Sequence, residues 1–147
     1  MTDDSPATRP RRRRRRPSDS ETPVTSAEHV VSGSEVKVKL EGLGLPPSWL
    51  AAKTGRTMRT IVRWFDVPAS PQVIEVLEEA SQRTLDEMLT MISAVGDDQN
   101  VVLTTYRTDK KFVNDEGWPA SWHRALTFRV VEHLRAEGRT VRVEYAE

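Results

Sequence analysis

Residues 45–64 read LPPSWLAAKTGRTMRTIVRW, and their spacing decides the fold. Two short helices that meet at a sharp turn need a small residue where they touch and a turn residue free to take positive φ. They also need a polar cap at the start of the second helix and a branched apolar side chain to anchor it. Ala51, Gly55, Thr57 and Ile61 occupy those places in order. Pro46 and Pro47 suit the first turn of the leading helix, which runs to Thr54, and Thr57 caps a helix from Met58 to Phe65. Leu45, Leu50 and Trp64 add buried contacts, which leaves Met58, Arg59, Val62 and Arg63 facing outward. Trp49 and Trp64 read as core residues rather than stacking platforms for bases.

Upstream of this stretch, Val36, Leu40 and Leu43 recur at helical spacing behind a possible cap at Ser34. The alternation of Val36, Val38 and Leu40 with Lys37 and Lys39 would also suit a strand; helix is preferred. Downstream, Asp66 to Ser70 is a connector, and Ser70-Pro71 opens an amphipathic helix reaching Val95. Its apolar side carries Val73, Ile74, Leu77, Ala80, Leu85, Met88, Met91, Ile92 and Val95, with Glu75, Glu78, Glu79, Arg83 and Asp86 opposite. Gly96-Asp97-Asp98 ends it. Val101–Tyr106 then reads as a strand, Arg107–Gly117 as a polar loop, Pro119–Ala136 as a helix and Thr140–Ala146 as a second strand. On the last helix Trp122, Ala125, Leu126, Val130 and Leu134 form a core arc. Phe128 and Val131 fall among Arg124, Glu132 and Arg135 on the far side, where a second chain would cover them.

The 147 residues contain 22 Lys and Arg against 22 Asp and Glu, 37% hydrophobic residues and no cysteine. That bounds the chain to one or two modest cores, and it excludes disulfides, thiol nucleophiles and cysteine zinc sites. His29, His123 and His133 are scattered, so no metal or cofactor is expected, and His123 and His133 read as ordinary helix residues. Asp97-Asp98 and Asp115-Glu116 are carboxylate pairs in turns, explained by capping and solvation. Without an assembled nucleophile, base or phosphate loop, an enzyme is not expected, and no small-molecule ligand is evident. No apolar run is long enough to span a membrane and no signal segment is present, so a cytoplasmic protein with no membrane partner is expected.

The balanced charge is unevenly placed. Residues 1–33 are poor in apolar side chains and hold seven arginines, among them Arg11, Arg12, Arg13, Arg14, Arg15 and Arg16. They read as a disordered arm able to condense on nucleic-acid phosphates without regard to sequence, although any solvated tail has the same composition. Between Leu43 and Phe65 the chain carries Lys53, Arg56, Arg59 and Arg63 with no acid, whereas Glu75 to Glu87 carries five acids around Arg83. A basic face followed by an acidic one points to a localised anionic partner.

Leu45, Leu50, Ala51, Gly55, Thr57, Thr60, Ile61, Arg63 and Trp64 together resemble the helix-turn-helix of Cro and lambda-repressor type (XRE-like) regulators of bacteria and phages. Gly55-Arg56, Arg63-Trp64, the proline-containing connector, the long helix from Pro71 and a small C-terminal piece are similar to the subgroup of anti-CRISPR-associated autorepressors. The chain departs from that pattern at Pro46-Pro47, where Ser-Gln usually touches phosphate, and at Phe65, where an acid often follows the tryptophan. The resemblance implies a repressor or autorepressor encoded by a phage or mobile element, binding an inverted-repeat operator in double-stranded DNA as a homodimer.

The expected fold is mainly α with a small α+β C-terminal part. An arm (1–33) precedes a helix-turn-helix domain with a long linking helix (34–95) and a strand-helix-strand dimerisation piece (96–147). A chain ending near Gly96 is therefore expected to keep its helical core. Expected base readers are Met58, Arg59, Val62 and Arg63; expected backbone contacts are Lys53, Arg56, Thr57 and Thr60; expected dimer contacts are Phe128 and Val131. The competing reading is a nucleic-acid-packaging or protein-interaction protein that uses the arginine arm.

Overall fold

The computed structural model describes residues 30–147. Five helices and two strands follow in order: α1 (Gly33–Leu43), α2 (Pro47–Thr54), α3 (Met58–Trp64), α4 (Pro71–Val95), β1 (Asn100–Thr105), α5 (Ala120–Ala136) and β2 (Thr140–Tyr145). The chain is mainly helical, with a small parallel sheet near its C-terminus in which Val101 pairs with Val141 and Leu103 with Val143.

Local chemistry explains most of the boundaries. Ser32 caps α1: its Oγ accepts from the Glu35 amide at 3.1 Å while the Glu35 carboxylate accepts from the Ser32 amide at 3.0 Å. The helix thus starts inside the segment expected to be arm, with Ser32 rather than Ser34 as its cap. Val36, Leu40 and Leu43 are buried and Val38 is exposed, so period 3.6 prevails over the alternating pattern. Thr57 caps α3 and Ser70 caps α4, each through a side-chain oxygen that accepts an amide three residues on.

One core collects Val36, Leu40, Leu43 and Leu45 with Trp49 and Leu50 of α2, Ile61 of α3, and Val73, Leu77 and Ala80 of α4. Trp118, Trp122 and Leu126 complete it. A second core places Val130, Val131 and Leu134 of α5 against Val101, Leu103 and Val141 of the sheet, with Met88, Met91, Ile92 and Val95 of α4 packed at its side. The long helices α4 and α5 therefore run through both cores. Residues 31–147 form one compact unit, so packing continues across position 96, where a boundary was expected. Trp118, Trp122 and Leu126 of the first core come from beyond that position.

Two details correct the helical-wheel reading of α4 and α5. Leu85, placed on the apolar side by the wheel, is 47% exposed, and Thr84 takes the buried position. Thr84 continues the row of Val73, Leu77 and Ala80, and its hydroxyl is satisfied there: the Trp122 indole N–H donates to Thr84 Oγ1 at 2.8 Å, while that hydroxyl donates to the Ala80 carbonyl at 2.7 Å. Val131, expected to face a second chain, is only 5% exposed and lies in the second core; Phe128 is 63% exposed. A helix resting on a sheet buries a wider arc than the narrow stripe counted from the sequence, and Val131 falls inside that arc while Phe128 lies beyond its rim.

Gly44 joins α1 and α2 to α5. It ends α1 with φ 73°, the left-handed cap that glycine adopts without penalty. A Cβ there would also run into the Ser121 backbone, and the Ser121 hydroxyl donates to the Gly44 carbonyl at 2.6 Å. This turn is thus where α5 sits down on the N-terminal helices.

Candidate nucleic-acid interface

Gly55 closes α2 with φ 69°, and its amide donates to the Ala51 carbonyl. Nothing crowds the position of a Cβ there, so the glycine answers to backbone conformation alone. Ala51 is half-buried against the first core, Thr57 caps the next helix, and Ile61 is fully buried. Leu45, Leu50, Gly55, Thr57 and Ile61 occupy the places expected of them, whereas Trp64, expected to be buried, is only half-buried. With Ile61 turned inward, Met58, Arg59, Val62 and Arg63 all face solvent; Met58 and Val62 are about half exposed.

The cations around α3 are differently held. Lys53 Nζ lies 5.6 Å from the Trp49 ring and 5.7 Å from the Trp118 ring, and the Arg56 guanidinium lies 5.9 Å from the Trp64 ring. Aromatic faces thereby position these two charges at the flank of α3 while leaving them exposed. Among the described residues, none of Lys53, Arg56, Arg59 and Arg63 is within ion-pair distance of a carboxylate. Thr57 and Thr60, expected to touch a backbone, engage each other: the Thr57 hydroxyl accepts the Thr60 amide and bonds its hydroxyl, both at 3.2 Å. Arg11 to Arg16 lie outside the described residues.

A layer of aromatic rings continues from the Trp49 and Trp118 pair that holds Lys53. Trp49 stacks on Trp118 at 5.4 Å, Trp118 on Trp122 at 4.5 Å, and Phe112 stacks on both Trp122 and Tyr106. Asn114 brackets Trp118 by accepting its amide and donating to its carbonyl, each at 2.9 Å. The Trp118 indole donates to Glu116 at 2.7 Å, and this bond, followed by Arg83, holds the Glu116 carboxyl below its ordinary range. Arg83 pairs with Glu87 at 3.1 Å and with Glu116 at 3.4 Å. The segment 107–117, read from sequence as a polar loop, thus closes the aromatic layer and caps α5, since Asp109 accepts the Ala120 amide at 2.7 Å. Sequence reasoning missed Phe112, Trp118 and Thr84; the one visible signal was a tryptophan and a phenylalanine in and beside a segment otherwise read as loop.

His123 is the buried titratable group of this layer. Thr105 Oγ1 lies 2.8 Å from its Nδ1, and burial pushes its pKa below the ordinary imidazole value, against a smaller opposing pull from Glu87. The unfolded chain then binds more protons than the folded one just below the ordinary value of about 6.5. His123 favours the fold above that pH, and the contribution is lost as pH falls from there towards the lowered folded value. Thermal melts between pH 7.5 and 5 should show a decline that His123→Gln flattens; an unchanged slope in the variant would assign the acid sensitivity to other groups.

No known protein family matches this sequence, and no characterised protein matches it significantly. The functional reading therefore stands on the residues themselves. Among the described residues, no group of three or more His, Asp and Glu side chains is arranged to hold a metal, and no helix is long and apolar enough to cross a membrane.

Proposed function

We propose that this protein is a sequence-specific DNA-binding regulator, a repressor or autorepressor of the XRE-like helix-turn-helix kind, acting as a homodimer on an inverted-repeat operator. One observation carries the reading. On α3 the exposed row Met58, Arg59, Val62, Arg63 combines two guanidinium groups that have no ion-pair partner among the described residues with two apolar side chains, flanked by Lys53 and Arg56 and free of acids. An arginine fork matches the O6 and N7 acceptors of guanine in the major groove, and apolar side chains match the thymine methyl. The stretch between Leu43 and Phe65 carries no acid among these cations, which leaves the face wholly basic.

Selection of bound sites from random double-stranded DNA by the purified full chain tests the reading. An enriched inverted repeat is the expected result, and the absence of any enriched sequence overturns it. Phage or mobile-element origin is drawn from the resemblance of the helix-turn-helix and of the layout that follows it.

In this reading the arm contributes charge rather than selectivity. Deleting Arg11 to Arg16 should flatten the dependence of log affinity on log salt by about 0.9 for each phosphate no longer neutralised, with the enriched sequence unchanged. Loss of nearly all binding together with its sequence preference would instead favour a packaging protein that holds nucleic acid through the arm.

A further inference from the structure

A two-stranded parallel sheet has two open edges, and those edges differ here. The Thr140 amide donates to the Gln99 carbonyl and the Ala146 amide to the Thr105 carbonyl. Even-numbered residues of β2 therefore turn their main-chain groups towards β1, and Val141, Val143 and Tyr145 turn theirs outward. Beside that outer edge lies a groove of about 450 Å³ between α5 and β2, lined by Phe128, Val131, Val143 and Tyr145 among others. Phe128, Val143 and Tyr145 are exposed at 63%, 42% and 47%. Open main-chain donors and acceptors thus run alongside exposed apolar side chains, of which the Tyr145 ring is partly covered by the Arg107 guanidinium at 4.2 Å.

The sequence of β2 indicates what covers them. Val141-Arg142-Val143-Glu144-Tyr145 is self-complementary about Val143. Laid antiparallel against its own copy, with Val143 opposite Val143, the strand places Val141 opposite Tyr145 and Arg142 opposite Glu144. The outward groups of Val141, Val143 and Tyr145 then form the hydrogen-bonded pairs. Arg142 and Glu144 fall in the non-hydrogen-bonded pairs, where facing side chains approach most closely. Both charged residues are exposed and already pair along the strand at 3.0 Å, on the face away from α5. The outer edge of β1 has no such code: Asn100–Thr105 contains no charge, and a groove against Met91 and Val95 of α4 borders it.

We infer that the open edge of β2 takes the β2 strand of a second copy of this chain, antiparallel and in register about Val143, giving a four-stranded sheet with its two-fold axis at that residue. The two-fold places both α5 helices on one face of the joined sheet and brings the two grooves together, so that Phe128 is covered by the partner's groove. Arg135, whose guanidinium donates to the outward Val141 carbonyl at 3.1 Å, guards that edge in the single chain and gives way to, or shares the carbonyl with, the incoming amide. This seam rests on the homodimer part of the proposed function and specifies it.

Sedimentation equilibrium of the full chain without DNA tests the seam, so its outcome does not depend on DNA binding. Wild-type protein should be a dimer. Arg142→Glu sets acid against acid at both cross-strand pairs and Glu144→Arg sets base against base; each should raise the dimer dissociation constant about tenfold or more. An equal mixture of the two variants regains complementary pairs at every position and should associate as the wild type does, which a folding defect could not produce. Val143→Pro removes an outward amide that the ladder to β1 does not use and should yield a folded monomer. A monomeric wild type, variants that dimerise undiminished, or a mixture that fails to recover would overturn the seam. Restored pairing without any selected DNA sequence would leave the seam in place and overturn the DNA reading; operator selection by a protein indifferent to the charge swap would do the reverse.

Discussion

Trp122→Ala is expected to destabilise the protein by about 3–5 kcal/mol, a large fraction of the total stability of a domain this size. Trp122 is almost fully buried at the point where α5 meets the N-terminal helices. Its ring stacks on Trp118 and Phe112, Arg83 covers it at 6.0 Å, and its indole N–H satisfies Thr84. Truncation leaves a cavity that the surrounding rings cannot fill without giving up their own stacking, and it removes the donor that made a buried threonine tolerable on α4. Trp122→Phe loses the same indole donor but keeps most of the ring volume and should cost clearly less; the Thr84 hydroxyl keeps its bond to the Ala80 carbonyl in both variants. Urea unfolding measures both. The midpoint should drop far more for alanine than for phenylalanine, with a single transition followed by probes in α1–α3 and in the sheet. Two separate transitions, or a loss under about 1 kcal/mol for alanine, would mean that α5 is a peripheral addition. A chain ending near Gly96 would lose Trp118, Trp122 and Leu126 from the same joint core and is expected to be less stable than the full chain.

What could be read from the sequence was local. The caps at Thr57 and Ser70, the left-handed turn at Gly55, the anchoring Ile61 and the strand-helix-strand order all follow from interactions between residues a few positions apart. The errors arose where a distant partner decides. Thr84 lies in the buried row of Val73, Leu77 and Ala80 with Leu85 at its edge, but a reading that counts only apolar residues passes over a threonine whose hydroxyl is satisfied by an indole 38 positions away. Val131 is buried because a sheet covers it, which the helix alone does not announce. Likewise the segment 107–117 looks like a polar connector until the crossover from β1 to α5 brings Phe112 and Trp118 onto Trp49 and Trp122. For the candidate interface the position is reversed: the outward row on α3 follows from the inward Ile61, and both lie within one short helix.

Arg59→Ala and Arg63→Ala should each weaken binding to the selected DNA site by about 1–3 kcal/mol, or roughly 5- to 150-fold, while leaving stability within about 0.5 kcal/mol of wild type. Stability is spared because both side chains are exposed and unpaired among the described residues, so their removal vacates no core and strands no partner. The diagnostic outcome is the pattern of loss. A guanidinium that reads guanine contributes little on the wrong base, so each variant should lose affinity for the cognate site, lose much less on random DNA, and relax preference at one position in each half-site. Lys53 and Arg56 are held at the flank by Trp49, Trp118 and Trp64, and provide the internal contrast. Lys53→Ala or Arg56→Ala should weaken cognate and random DNA alike and lower the salt slope by about 0.9, the share of one neutralised phosphate. If Arg59 and Arg63 behaved as the flanking pair is expected to, with equal losses on both DNAs, α3 would lie along the backbone rather than in the groove. Specificity would then have to come from another element or from the shape of the duplex.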